Sequence, residues 1–281
     1  MPLDVMLAVL LGALLHASWN ALVKSSSDKT LDTALIHVLC SLLALPVCLY
    51  VGPPPAESWP YILGSLVVHV GYYFALAGAY KHGDLGLTYP LMRGTAPMLV
   101  AISSFALIGE ALSPLAWMGV ACICGGVLLL GFTRAWWSHR KAIMFALSNA
   151  VLIAIYTVID AKGARNSGHV AQYISMLFVL DGWPFAALVF MQRKGQVWPY
   201  VRKRWPVAAG GACASIGSYA IALWAMTQAP VASVAALRET SVLFAALLGI
   251  ATVMLPADKR EPLARAYALI ADALRQLTTL I

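Results

Sequence analysis

Charge is what this sequence has least of. Asp, Glu, Lys and Arg make up 11% of its 281 residues and apolar residues 61%, against about 25% and 45–50% in a typical soluble domain. A chain so poor in charge cannot cover a water-facing surface, which excludes an ordinary soluble domain and points to the bilayer. Cysteine is scarce too: Cys40, Cys48, Cys122, Cys124 and Cys213 all fall in apolar runs. Their spacing suits neither a metal nor redox chemistry, so they read as small packing residues without a disulfide framework. No nucleophile motif, metal-ligand helix or phosphate loop occurs, so the chain is not read as an enzyme and implies no cofactor and no metal. The formal charge of +7 does not indicate nucleic acid, because the basic residues are spread over the joints between apolar runs.

What abounds is the long apolar run. Segments of roughly 20 residues, each able to cross about 30 Å of hydrocarbon as a helix, occupy 3–23, 31–51, 59–80, 85–108, 113–132, 142–160, 170–191, 205–227 and 231–255. The fold class is therefore an all-α polytopic membrane protein with nine transmembrane helices. The first run has no basic region ahead of it and no small-residue cleavage site, and is expected to stay in the membrane. The joints after spans 1, 3, 5 and 7 carry 2, 1, 3 and 5 Lys or Arg, and those after spans 2, 4, 6 and 8 carry 0, 0, 2 and 0. By the positive-inside rule the first set is cytoplasmic and the N-terminus faces outside.

The chain also repeats itself. "WPYILGSLVVHVGYYFALAGAY" (59–80) aligns without a gap on "WPVAAGGACASIGSYAIALWAM" (205–226), pairing Trp59 with Trp205, Pro60 with Pro206, Gly71 with Gly217 and Tyr73 with Tyr219. After a one-residue adjustment "LMRGTAPML" (91–99) lies on "ALRETSVLF" (236–244), setting Arg93 on Arg238, and "ASWNALV" (17–23) lies on "AIYTVID" (154–160), setting Trp19 on Tyr156. Two repeats follow, 1–132 and 141–281. Because the first holds an odd number of spans, the second enters the membrane upside down, the plan of secondary transporters with a midplane site between the repeats.

With "LHASWNALVK" in span 1, "GEALSPLAWMGVACICGGVLLLG" at 109–131 and the repeat itself, the sequence resembles the EamA family of the drug/metabolite transporter superfamily. That resemblance implies two inverted five-helix halves, ten spans, and export of amino acids or related metabolites. The start "LHASWN" is similar to a branch found near phosphonate-utilisation genes. The end departs from the pattern. Arg265, Asp272 and Arg275 would each cost about 2.5–3.5 kcal/mol near the centre of a span, while Leu263, Tyr267, Ile270, Leu274, Leu277 and Ile281 share one helical stripe. Residues 256–281 are thus a divergent stand-in for the tenth helix, either an amphipathic surface helix or the product of a shifted reading frame.

Ionisable groups inside spans face the bundle interior and are functional by default. Arg93 and Arg238 each lie on the order of 10–12 Å past a helix start, at matched positions of opposite halves, where two guanidinium forks suit carboxylate or phosphonate oxygens. Alternatively, each caps a helix or pairs with Asp181 or Glu110. Pro90, Gly94 and Pro97 suggest that span 4 kinks or unwinds beside Arg93. Glu239 has no acidic counterpart, since Gly94 occupies the matched position; it is either a proton-coupling carboxylate or a partner for Arg93. His16, Trp19 and Asn20 share a face of span 1 as an aromatic and polar wall, extended by Tyr89 and Tyr156. His69, Tyr73 and Tyr80 form a stripe in span 3, and His37 stands alone in span 2. Asp181 and His37 join Glu239 as proton-coupling candidates.

The function these features imply is a secondary transporter of a small polar, anionic metabolite such as an amino acid, organic acid or phosphonate, sited in the inner membrane, with a small-molecule substrate and membrane lipid as partners, protons as a candidate coupling ion and no nucleic acid. The alternative is a non-transporting membrane partner or regulatory subunit whose second repeat is incomplete.

Overall fold

The computed structural model describes residues 1–83, 85–131 and 139–245, apart from the side chains of residues 24, 85, 86, 130 and 131. Expectations for the tail and the tenth helix fall outside those residues. The described residues form nine α-helices: α1 Leu3–Lys24, α2 Lys29–Val51, α3 Trp59–His82, α4 Leu85–Ile108, α5 Pro114–Gly131, α6 Arg140–Asn166, α7 Val170–Gln192, α8 Lys194–Gln228 and α9 Val231–Arg238. One 3₁₀ turn, Ala56–Ser58, precedes α3. Seven of the helices are long and apolar enough to cross a membrane, and α5 supplies a shorter apolar helix, Pro114–Leu129.

Burial is the reverse of a soluble protein's. Leu7, Leu49, Val67, Phe74, Phe105, Met144 and Met191 point outward, whereas Ala13, Ala34, Ala79, Ala101, Ala146, Ala161, Ala186, Ala212 and Ala225 are fully or almost fully enclosed. Lipid is as apolar as leucine, so helices associate here by close approach of small residues rather than by burying large ones. Gly182 shows the limit: a Cβ there would collide with Ser41 Oγ and the His37 carbonyl of α2.

The packing is reciprocal. α1 runs along α8, α3 along α6, and α2 against α7. Under the sequence repeat α1, α2 and α3 correspond to α6, α7 and α8, so the first two contacts are one contact seen twice, and α2 meets its own equivalent. The contacts of α4 with α6 and of α1 with α9 are related in the same way. That reciprocity is what a two-fold axis lying in the membrane plane generates.

Three boundaries differ from expectation. α6 continues to Asn166 rather than ending at Asp160, because polarity alone does not stop a helix; the chain turns at Gly168, whose φ of +68° only glycine adopts without strain. α8 begins at Lys194, so most of the basic joint before Trp205 is its first turns, with Trp198 and Trp205 exposed. The third concerns the unwinding expected in span 4. α4 stays helical through Pro90 and Pro97, and the interruption falls at the matched place in the other half, where α9 stops at Arg238, turns through Glu239 and Thr240, and resumes as helix over 241–245. Amide bonds from Glu239 to Ala236 (3.0 Å) and from Thr240 to Leu237 (3.1 Å) tighten that turn.

Candidate functional site

The interruption of α9 delivers three charges into the bundle. Arg93 and Arg238 are each 9% exposed and Glu239 4%, so all three have left water. Arg93 Nε lies 2.8 Å from Glu239 Oε2, an ion pair between α4 and the turn after α9. Its N–H does not point along the contact, so neither atom is satisfied as a hydrogen-bonding group, and Arg93 Nη2 and Arg238 Nε are buried without any hydrogen-bond partner among the described residues. The Arg238 guanidinium instead sits over the Tyr219 ring, 5.4 Å from its centroid, a cation–π contact that neutralises no charge.

Aromatic side chains close the space around these charges. Tyr89 lies within electrostatic reach of Arg93 and Glu239, Tyr156 of both arginines and Glu239, and Tyr72 of Arg93. His16 faces both arginines from α1. Trp19 donates its indole N–H to His16 Nδ1 (3.3 Å) and Asn20 its amide to the His16 carbonyl (2.7 Å), which ties both to His16.

The other proton-coupling candidates gather elsewhere. Asp181 on α7 contacts His69 at 3.3 Å and His37 at 4.0 Å, and the Tyr73 hydroxyl lies 3.4 Å from the His37 ring nitrogens. His37 is therefore not alone, and Asp181 partners no arginine among the described residues. Glu110 does not partner either of the two arginines: it binds Arg165 Nη2 (2.6 Å) and accepts the Val231 amide (2.8 Å), a carboxylate at a helix N-terminus where the dipole favours it.

Sequence reasoning passed over Asp160. Fully enclosed, it accepts hydrogen bonds from the hydroxyls of Tyr173 (2.8 Å) and Tyr219. The signal was present in the repeat, because Tyr73 and Tyr219 are an identical pair and each turns its hydroxyl into a buried polar cluster. Also passed over were two ion pairs joining the halves. At the end of the bundle carrying the basic joints, Arg204 holds both oxygens of Asp32, at 3.1 and 3.2 Å, and the Leu22 carbonyl, while Tyr200 donates to Asp32. At the opposite end, Arg165 joins Glu110 to the carbonyls of Met226 and Ala229.

A helical bundle with an apolar exterior and a buried, incompletely neutralised charge cluster is a polytopic membrane protein built around a polar interior site. Residues 4–132 match the model of the EamA-like transporter family, part of the drug/metabolite transporter superfamily, and that family implies a membrane transporter. A solved crystal structure of a protein with 22% sequence identity aligns with 100% of this chain and 98% of its own, at a TM-score of 0.78, which shows a shared fold.

Proposed function

We propose that the protein is a secondary transporter of the inner membrane that carries a small anionic metabolite by alternating access, its N-terminus outside. Amino acids, organic acids and phosphonates are the substrate classes that fit. The observation that carries this reading is the pair of buried arginines at matched positions, whose donors Arg93 Nη2 and Arg238 Nε have no hydrogen-bond partner among the described residues. Enclosed donors of that kind are costly unless something completes them, and carboxylate or phosphonate oxygens do so with the geometry a guanidinium favours. Glu239 holds Arg93 when the site is empty, and an incoming anion competes with it. Tyr89, Tyr156 and His16 line the space, with Trp19 and Asn20 behind His16.

Support for alternating access comes from the two ion pairs between halves. Arg204–Asp32 and Arg165–Glu110 sit at opposite ends of the bundle, so opening either end requires one pair to part while the other holds.

The test is uptake into proteoliposomes of a labelled panel containing an amino acid, a dicarboxylate and an alkylphosphonate. Wild-type protein moves at least one of them, and Arg93→Ala and Arg238→Ala each cut that flux more than about tenfold, as loss of a charge-assisted contact of ~1.5–3 kcal/mol predicts. Undiminished flux in both variants sinks the site.

A further inference from the structure

Asp160 poses a problem that the anion site does not solve. It is 0% exposed, it forms no salt bridge among the described residues, and the groups directed at its carboxylate are the hydroxyls of Tyr173, Tyr219 and Ser65. Three neutral donors are a meagre replacement for water around a full negative charge. The ionisable base facing it is His69 on α3. His69 Nδ1 lies 3.5 Å from Ser65 Oγ and 3.3 Å from Asp181 Oδ1, so one ring nitrogen reaches both. His37 and Tyr73 complete the far end, the Tyr156 ring lies 4.4 Å from the His69 ring at a tilt of 44°, and Tyr72 adjoins it. Arg93, Arg238 and Glu239 lie beyond that tyrosine wall.

Exposure grades along this row. The side chains of His37, Asp181 and His69 are 21%, 16% and 12% exposed, and Asp160 is sealed. Two aspartates and two histidines in a row, more exposed at one end than at the other, form the kind of arrangement that moves protons inside membranes.

We propose that Asp181, His69 and Asp160 form a proton-transfer site, in which one proton passes from Asp181 through the His69 imidazole to Asp160. The proton on Asp181 moves to His69 Nδ1, and the imidazolium gives it from that same nitrogen to Ser65 Oγ as the Ser65 hydroxyl passes its own to Asp160. Asp181 ends ionised, His69 neutral and Asp160 a carboxylic acid. Protonation removes the charge of Asp160: Ser65, having passed on its hydrogen, now accepts from the Asp160 hydroxyl, and the bonds from Tyr173 and Tyr219 weaken because they no longer end on an ionised acceptor. Tyr219 is the donor whose ring also carries Arg238, and the weakening of its bond to Asp160 couples the proton to the anion site. That last step rests on Arg238 binding the substrate; the proton site itself does not.

Infrared titration of the full-length protein in nanodiscs, with carboxyl-labelled aspartate, tests the site using protons alone. Lowering the pH should raise an aspartic-acid band that is absent from Asp160→Asn, and His69→Gln and Asp181→Asn should each move its midpoint by about one pH unit, a tenfold change in proton concentration. Should Asp160→Asn not fold, Tyr173→Phe serves in its place, because loss of one donor to the ionised form must raise the midpoint. A band that does not titrate, or whose midpoint is indifferent to His69, Asp181 and Tyr173, overturns the proposal. The double variant Arg93→Ala, Arg238→Ala should keep the titration; if it does while wild-type protein transports no anion, the anion reading falls and the proton site stands.

Discussion

Arg93 of α4 and Glu239 of the turn after α9 meet at 2.8 Å in a space closed to water, and they come from matched regions of a repeated chain in which only one half carries the acid. Removing one partner of a buried pair strands the other, at a cost of roughly 3–5 kcal/mol, whereas removing both is far less damaging. Glu239→Gln should therefore lower the thermal stability of the detergent-solubilised protein substantially. Glu239→Gln combined with Arg93→Gln should recover most of the loss. Melting curves of the two single variants and the double variant measure the coupling, and additive losses would show that the pair is not a unit.

The two ion pairs at opposite ends make a side-specific prediction. In a cysteine-free background carrying Tyr89→Cys, Asp32→Asn should speed labelling by an impermeant thiol reagent added at the end that bears the basic joints. Glu110→Gln should speed labelling from the other side. A coupling of about 1–3 kcal/mol corresponds to rate changes of roughly 5–150-fold. Equal effects from both sides would mean that the pairs brace the fold without governing access.

Gly182 lets α7 approach α2 at the point where Asp181 meets His37 and His69. Gly182→Ala places a methyl group against Ser41 Oγ and the His37 carbonyl, and the carbonyl is backbone that cannot swing aside. Overpacking of this kind costs about 1–3 kcal/mol, read as a lowered melting temperature. Gly125, with open space where its Cβ would stand, is the control, and Gly125→Ala should melt at or above the wild-type temperature.

The span pattern was legible because a helix crossing lipid must be both long and apolar, and no neighbour can alter that requirement. The arginines were legible because charge inside such a run is rare and the repeat matched them. Asp160 was not: Lys162 and Arg165 follow it closely, so the apolar run stops there, although the helix continues to Asn166. The interruption of α9 was misplaced for a related reason. Proline marks a possible break wherever it stands, but α4 accommodates Pro90 and Pro97 within the bundle, while the chain turns at Glu239, whose carboxylate must reach Arg93. Pairings such as Asp32 with Arg204 join residues 172 positions apart and depend on the reciprocal packing of the halves, which no local pattern encodes.

Tyr219 touches both clusters with different parts of one side chain, its hydroxyl on Asp160 and its ring beneath Arg238. Tyr219→Phe keeps the ring and deletes the hydroxyl; Tyr219→Leu deletes both. A cation–π contact shielded from water is worth up to about 2 kcal/mol, so Tyr219→Leu should weaken binding of a transported anion by roughly tenfold or more, and Tyr219→Phe should leave affinity near wild type. The hydroxyl should matter to the pH dependence instead, since Tyr219→Phe leaves Asp160 with one donor fewer and cuts its tie to Arg238. Anion affinity across a pH series separates the two parts: in Tyr219→Phe it should lose the pH dependence contributed by Asp160. A Phe variant with wild-type pH dependence would mean that the two clusters work independently.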